Sequence, residues 1–472
     1  IFGTAVGTRM IKFAKAAIIG SVFVMLGATI QGSGTTNTLS QLGRVDALGG
    51  AFTVALCSAM IVAIMTKLKL PVSTGQAIVG SIVAWCYFTS NPVDYSILSV
   101  LVSSWIYGPI LGAIFAALLF VLFRRFIKTT TIHVIKLDML VRFGLIAAGA
   151  FGAYSLGANN IANVMGMFAS APLFKDLNVG NIIVVSSVQQ LFLLGGLAIA
   201  FGIFTYGNNV METVGTDLYK ISPITGFVVV FAEFIVLFLF TSQSLEAFLL
   251  KNNLPAFPLV PLSTTQAFIG AVIGVGLAKD PLSINFKVLG KIGIGWVVAP
   301  LSAGLITFIS LFFIQNVFEQ KIIHPVPYQI TTSVITKLNT EGINTEKLND
   351  LLDKRFTNNK AFLNELKSRY DYNSEHIYSI YKYALIDSFK IDSLRINELP
   401  VNYQLSIAQK VKLAELHGKS FSHKIDFEEA VFSNLPDWRF SGNKLIDKEV
   451  EEKKILIEEL FRVTNKNKSN NF

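Results

Sequence analysis

Long apolar runs separated by short polar stretches fill about the first 316 residues of the chain. A run of about 20 apolar residues is long enough to cross the roughly 30 Å hydrocarbon core of a bilayer as a helix. The runs are continuous and do not alternate with a period of two, so they favour helices over membrane strands. They predict membrane-spanning helices at residues 16–32, 48–66, 97–123, 139–156, 181–205, 223–250 and 286–315.

Two shorter apolar segments, residues 74–88 and 264–278, each come after a proline. They are too short, or too polar at one end, to cross a bilayer comfortably. Short segments of this kind in matching positions are typical of the broken helices of transporters. We therefore predict an all-α polytopic membrane protein that contains inverted repeats and broken or re-entrant helices.

The pattern changes after Phe318, where charged residues become frequent. Beyond residue 340 the apolar residues have a helical period, which predicts a soluble helical domain. One predicted helix places Leu348, Leu351, Leu352 and Phe356 on a single face. The predicted organisation is a first membrane repeat at 1–130, a second at 131–318 and a soluble helical appendage at 319–472.

The charged residues are also distributed differently between the apolar part and the tail. The first 316 residues carry 17 basic and 9 acidic side chains, whereas the remaining residues carry 23 and 22. The net charge of +9 therefore belongs to the apolar part, where basic residues flank the runs as membrane topology requires. Since these residues form no basic stripe, we do not expect a nucleic-acid partner. The cluster of basic residues at 124–136 predicts a cytoplasmic connection.

A ten-residue motif occurs once in each half of the apolar part. Pro71–Gly80 and Pro261–Gly270 lie 190 residues apart and are identical at six positions. The pattern Pro-x-Ser-Thr is typical of a helix start, which by itself explains one copy. A helix N-terminus in a membrane protein is also an anion site, because its free N–H groups point at the ligand. The hydroxyls and the Gln amide of each copy add neutral hydrogen-bond donors.

A second polar motif, Gly-Ala-Asn-Asn-Ile-Ala-Asn, lies at residues 157–163 within an apolar stretch. Asn159, Asn160 and Asn163 are costly in a membrane unless they have partners. Asn is a poor helix former, and Gly157 adds flexibility. We therefore predict a helix break that offers amides and free carbonyls. An ordinary Asn-rich loop is the alternative.

Taken together, these motifs resemble the PiT family of inorganic phosphate transporters. That family carries Gly-Ala-Asn-Asp-x-Ala-Asn and Pro-x-Ser-Thr-Thr-His/Gln elements in each of two inverted halves. The resemblance covers about residues 1–316 and excludes the tail. Ile1–Gly7 resembles the family segment located immediately after the first Asn element, so we expect that element to precede Ile1. Two positions differ from the family: Asn160 replaces an Asp and Gly75 replaces a Thr.

The resemblance implies a secondary active transporter of phosphate in the cell membrane, plasma or inner, with a site between the two halves and with sodium favoured over protons as the coupling ion. One repeat would rock against the other. The implied ligands of phosphate are Ser73, Thr74, Gln76, Ser263, Thr264, Thr265, Gln266, Asn159, Asn160 and Asn163. Asn160 and Asn163 are also candidate sodium ligands, and Glu233 is the candidate coupling carboxylate because an unpaired intramembrane acid is costly. The expected partners are phosphate, a sodium ion or proton, membrane lipid and a second copy of the chain in a homodimer, with no other cofactor.

Other functions are less compatible with the sequence. A membrane enzyme needs a nucleophile with a base, or a metal cluster. All five histidines lie outside the apolar runs. A passive channel needs a continuous polar lining, which the short motifs do not supply. A proton-coupled phosphate or sulfate permease stays open as the alternative, since the same neutral donors would hold sulfate.

Overall fold

The computed structural model of the chain describes residues 2–7, 10–43, 45–68, 70–130, 132–169, 174, 177–179, 183–214, 222–281, 284–369, 372–399, 405–433, 436–441 and 444–463. The chain divides into two compact units. The first, which we call the membrane unit, comprises Ile1–Glu246 and Phe257–His324. The second comprises Ala247–Ala256 and Pro325–Phe472.

The membrane unit is built from apolar helices. Six helices or helical segments within the described residues are long and apolar enough to cross a membrane. They are Phe13–Leu42, Leu48–Lys67, Tyr95–Thr129, Ser187–Thr205, Pro223–Thr241 and Phe286–Asn316. The predicted run at 139–156 lies in a further long helix that is not one of these six. The all-α polytopic fold predicted from the sequence is confirmed.

We number the helices of this unit in chain order. They are α1 (Gly3–Gly7), α2 (Phe13–Leu42), α3 (Leu48–Lys67), α4 (Thr74–Thr89), α5 (Tyr95–Thr129), α6 (Val134–Ala169), α7 (Ser187–Val214), α8 (Pro223–Thr241), α9 (Gln243–Lys251), α10 (Thr264–Lys279) and α11 (Phe286–Asn316). Helix α9 ends in the second unit. Strands β1 (Leu177–Val179) and β2 (Ile183–Val185) pair antiparallel before α7.

Two predicted boundaries differ from the structure. The run at 181–205 contains strand β2, and its helix starts only at Ser187. The run at 223–250 is divided at Ser242, whose hydroxyl accepts a hydrogen bond from the Leu245 N–H at 3.2 Å and starts α9. The polar stretch Thr241–Ser244 marks this division in the sequence, and reading 223–250 as a single apolar run overlooked it.

The predicted helix break at 157–163 is wrong, because α6 is continuous from Val134 to Ala169. Gly157 serves close packing rather than unwinding. A Cβ at this position would lie 2.1 Å from the carbonyl oxygen of Val24, so only glycine lets α2 and α6 approach so closely. The neighbouring asparagines find hydrogen-bond partners without opening the helix.

The described residues of the second unit form short helices and two small antiparallel sheets. Its strands are β3 (Tyr328–Gln329), β4 (Arg355–Phe356), β5 (Ile386–Lys390) and β6 (Ser420–His423). β3 pairs with β4, and β5 with β6. Its α-helices are α12 (Thr332–Thr340), α13 (Asn359–Arg369), α14 (Ser374–Ala384), α15 (Ile407–Glu415), α16 (Lys424–Phe432) and α17 (Lys444–Phe461).

The predicted helix through Leu348 and Phe356 is wrong. A short 3-10 helix spans Glu346–Leu351, and β4 comes after it. Leu348, Leu351 and Phe356 are buried as expected, whereas Leu352 is 41% exposed. Burial of three of these four side chains was predictable from their spacing. The local backbone form was not, because tertiary contacts decide it in so short a segment.

Candidate functional site

The first copy of the repeated motif, Pro71–Gly80, which we call the first Ser-Thr segment, begins helix α4. Ser73 is the N-cap and accepts a hydrogen bond from the Gln76 N–H at 3.3 Å. A serine at this position satisfies one of the orphan N–H groups of the first turn. Ser73 and Gln76 are buried, whereas Thr74 is exposed. The remaining free N–H groups and the positive end of the helix dipole therefore lie beside an accessible hydroxyl.

The second Ser-Thr segment, Pro261–Gly270, repeats this geometry at the start of α10. Ser263 is the N-cap and accepts from the Gln266 N–H at 3.2 Å. Ser263 and Gln266 are buried, and Thr264 and Thr265 are partly exposed. The two copies of the sequence motif thus give two copies of the same local structure.

Helix α6 contacts both segments through asparagines one turn apart. Asn159 brackets the backbone of Leu262: its Nδ2 donates to the Leu262 carbonyl at 2.8 Å, and its Oδ1 accepts from the Leu262 N–H at 2.7 Å. Asn163 Nδ2 donates to Thr74 Oγ1 at 3.3 Å. Asn160 Oδ1 accepts a further hydrogen bond from Asn159 Nδ2 at 3.0 Å. The asparagine face of α6 therefore lies against both helix starts.

The two Ser-Thr segments also contact each other directly. Thr265 Oγ1 donates to the backbone carbonyl of Val72 at 3.3 Å. The position of the first segment that corresponds to Thr265 is Gly75, which offers no hydroxyl. A Cβ at Gly75 would lie 3.5 Å from Asn163 Oδ1, which is ordinary contact distance. The structure thus gathers the residues predicted from the sequence around two helix starts and one face of α6, namely Ser73, Thr74, Gln76, Asn159, Asn160, Asn163, Ser263, Thr264, Thr265 and Gln266.

Three amide oxygens at these positions are buried and have no hydrogen-bond partner within the described part of the chain: Gln76 Oε1, Asn163 Oδ1 and Gln266 Oε1. A buried oxygen without a donor costs about 1–3 kcal/mol, so three near one site require an explanation. Amide oxygens are hard ligands that suit a cation such as sodium. The helix starts and hydroxyls offer donors that suit an anion. The arrangement can therefore hold an anion and a cation together.

Glu233 lies on α8 and is 3% exposed. Its Oε2 has no hydrogen-bond partner among the described residues. Within the same part of the chain, no hydrogen bond joins it to the Ser-Thr segments or to the asparagines of α6. The structure therefore places this carboxylate on a separate helix, outside the hydrogen-bonded cluster.

Two threonines of α2 help to position the site, and the sequence analysis did not predict them. Thr35 Oγ1 donates to the Ala158 carbonyl of α6 at 2.8 Å, and Thr38 Oγ1 donates to the Leu259 carbonyl at 2.6 Å. Thr38 thereby holds the stretch of chain that leads into the second Ser-Thr segment. The polar run Gly-Thr-Thr-Asn-Thr at 34–38, inside an apolar helix, was the signal that could have revealed them.

Several known proteins are similar to this chain in sequence, and one solved structure is similar in fold. Proteins named "Putative phosphate permease" match from Methanocaldococcus jannaschii, at 27% identity over 65% of this chain and 88% of that protein, and from Haemophilus influenzae, at 25% identity over 67% and 92%. The Sodium-dependent phosphate transporter 1-A of Xenopus laevis is 25% identical over 36% of this chain and 23% of its own length. A solved structure described as the sodium-dependent phosphate transporter has the same fold, with a TM-score of 0.50 and 22% identity over 66% of this chain and 93% of that one.

The sequence model of the family described as "Phosphate transporter family" matches residues 1–305 and 247–386. The match covers far more than half of the chain and includes both Ser-Thr segments and the asparagine face of α6. Together with the six apolar helices, it establishes a multi-pass membrane protein. This chain belongs to the phosphate transporter family.

Proposed function

We propose that this chain is a secondary active transporter that carries inorganic phosphate together with sodium, through a site between the two Ser-Thr segments. The observation that carries this proposal is the pairing of two helix N-termini with three partnerless amide oxygens, those of Gln76, Asn163 and Gln266. The family match supports phosphate as the substrate, and the names of two relatives support sodium as the coupling ion.

Phosphate would accept hydrogen bonds from the free N–H groups at the starts of α4 and α10 and from the hydroxyls around them. All of these donors are neutral, so they hold the anion without trapping it in a fixed ion pair. The accessible threonines, Thr74, Thr264 and Thr265, lie where a solute can reach the site. Asn160 is partly exposed as well and completes the polar lining.

Sodium would take the partnerless oxygens as ligands. Neutral carbonyl oxygens coordinate sodium at broken helices of other transporters. A bound cation satisfies each oxygen and places a positive charge close to phosphate, so each ion strengthens the binding of the other. This mutual dependence is the physical basis of coupled transport.

The site assignment is tested by replacing Ser263 or Gln266 with alanine in the full chain reconstituted in liposomes. We expect both variants to lose phosphate uptake while keeping the elution volume of a folded protein, with a modest loss of thermal stability for Ser263→Ala because it removes an N-cap. Ser104→Ala is the matched control, because Ser104 is an equally buried hydroxyl on α5 whose hydrogen bond goes to the Leu101 carbonyl of its own helix. Normal uptake by both site variants would refute the assignment.

Glu233 supports a second candidate, coupling to protons. Its buried carboxylate has an oxygen without a partner among the described residues, and such a group is costly in a membrane unless it binds a cation or a proton. The variant Glu233→Gln separates the candidates. Uptake that stays dependent on sodium in this variant favours sodium coupling, whereas loss of a proton-driven component favours the carboxylate as a proton carrier.

A further inference from the structure

A second repeated motif lies in the two longest proline-containing helices. Trp105-Ile-Tyr-Gly-Pro109 in α5 and Trp296-Val-Val-Ala-Pro300 in α11 share the pattern Trp-x-x-x-Pro, 191 residues apart. A proline inside a helix has no N–H, so it frees the carbonyl four residues earlier and weakens the helix there. In both helices that carbonyl belongs to the tryptophan. The repeat therefore marks one equivalent weak point in each half.

Each proline helix packs mainly against the opposite half. Before the proline, Leu101 of α5 lies in a cluster that holds Trp85 of α4 and also Leu262 and Ala267 of the opposite half. After the proline, Ala116 of α5 packs with Ile269 of α10. The sequence neighbour of α5 is α4, but its packing partner over most of its length is α10.

Helix α11 makes the reciprocal exchange. Ile292, before its proline, packs in the cluster around α10. Beyond the proline, Thr307 Oγ1 donates to Ser81 Oγ of α4 at 2.9 Å, and Ser58 Oγ of α3 donates to the same serine at 2.8 Å. Leu311 then joins the cluster of Trp85. Buried hydroxyls thus connect α3, α4 and the later part of α11.

Two close backbone contacts hold α11 against α4 and α5 against α10, and they occupy equivalent positions in the two halves. A Cβ at Gly80 of α4 would lie 2.1 Å from the carbonyl oxygen of Pro300, and a Cβ at Gly270 of α10 would lie 2.1 Å from that of Pro109. Each Ser-Thr segment therefore ends on a glycine pressed against the proline of the opposite half. Such contacts do not tolerate sliding, because the backbones already touch.

We infer that transport moves two exchanged bodies against each other, rather than one sequence repeat against the other, with the Trp-x-x-x-Pro turns as joints. The first body is α3, α4 and α11 from residue 295 onward. The second is α8, α10 and α5 from residue 108 onward. This inference rests on the proposed function, since it assigns the moving parts of the same transport cycle.

Distances between spin labels discriminate the two schemes. The labels replace apolar surface residues that are about half exposed, Met60 on α3, Val121 on α5, Leu277 on α10 and Phe312 on α11. They are introduced in pairs into a cysteine-free parent in which the free residues Cys57 and Cys86 are alanine. The distances are measured by pulsed electron–electron double resonance in nanodiscs, with and without sodium phosphate.

If the exchanged bodies move, the Met60–Phe312 and Val121–Leu277 distances stay constant, because each pair lies within one body. The Met60–Val121 distance then changes by about 3 Å or more, which is the scale of helix movements in switching proteins. Rocking of sequence repeats predicts the reverse: a constant Met60–Val121 distance and a changed Met60–Phe312 distance. That result would overturn the inference, and so would constant distances for all three pairs. Uptake by the cysteine-free parent tests the proposed function separately.

A disulfide gives a second, independent test. Ser81→Cys with Thr307→Cys in the same parent places two thiols where two hydroxyls are 2.9 Å apart. We expect the oxidised protein to keep phosphate uptake within twofold of the reduced protein, because the bond lies inside one body. A tenfold or greater loss that a reductant restores would show that α4 and α11 must separate, and would overturn the inference.

Discussion

Both Ser-Thr segments start a helix behind a Pro-x-Ser turn and press a glycine against a proline carbonyl, yet they are held differently. The second is bracketed by two hydrogen bonds from Asn159 to Leu262, and Thr38 holds the chain just before it. For the first, α6 offers one longer hydrogen bond, from Asn163 to Thr74. The residues that can face a ligand are the same in both segments except that Gly75 stands opposite Thr265, whereas the hydrogen bonds that hold each segment differ in number and length.

This difference suggests that one segment stays fixed during transport while the other moves. The second segment is fixed to α6, which itself packs closely against α2. The first is held loosely and can move with α3 and the later part of α11. A nearly symmetric site whose halves are held unequally can bind the same ligand in two arrangements, which alternating access requires. Four sets of substitutions test this comparison, beginning with the largest expected effect.

Asn159→Ala should be the most damaging change. It leaves the N–H and the carbonyl of Leu262 buried without partners, at about 1–3 kcal/mol for each group, so about 2–6 kcal/mol in total. Asn163→Ala removes one longer hydrogen bond and should cost less than half as much. Thermal unfolding of the full chain in detergent measures both. Equal loss of stability in the two variants would show that the two segments are fastened alike.

Gly80→Ala and Gly270→Ala should be the next most damaging and should match each other. In both, the new Cβ meets a proline carbonyl oxygen at 2.1 Å, and the backbones must move apart. Overpacking of this kind costs about 1–3 kcal/mol. Gly290→Ala on α11 is the control, because nothing lies within 4 Å of its added Cβ. If one of the two variants is as stable as this control, the repeat symmetry of the contacts is wrong.

Thr265→Val should have a smaller effect. It keeps the shape of the side chain but removes the hydrogen bond to the Val72 carbonyl, worth about 1 kcal/mol. We expect phosphate uptake to fall about fivefold, as a change of about 1 kcal/mol implies, with little change in folding. Initial uptake rates in liposomes measure it. An unchanged rate would mean that the Thr265 hydroxyl contributes to transport neither through its bond to Val72 nor as a ligand of phosphate.

Gly75→Ala should have the smallest effect. The added methyl group finds ordinary contact distances to Asn163, and alanine favours a helix by up to about 1 kcal/mol over glycine. We expect slightly higher thermal stability and uptake within twofold of the parent. Severe loss of uptake would show that the open space beside Gly75 belongs to the ligand path.

The local structure of the site was more predictable from the sequence than its tertiary arrangement. Both N-caps could be predicted, because Ser73 and Ser263 stand in a pattern whose chemistry is local. The continuity of α6 could not, since Asn159 finds its partner in Leu262, 103 residues away. The exchange of α5 and α11 was equally hidden. It depends on contacts such as Gly270 with Pro109, and hydrophobic periodicity does not say which helix a face will meet.

The most direct test of coupled transport is phosphate uptake by the full chain in liposomes under imposed ion gradients. We predict that an inward sodium gradient drives phosphate to a concentration above that outside. A sodium ionophore should abolish the accumulation, a protonophore should leave it intact, and a tenfold excess of sulfate should not compete. Accumulation driven by a proton gradient in the absence of sodium, or equal transport of sulfate, would contradict sodium-coupled phosphate transport.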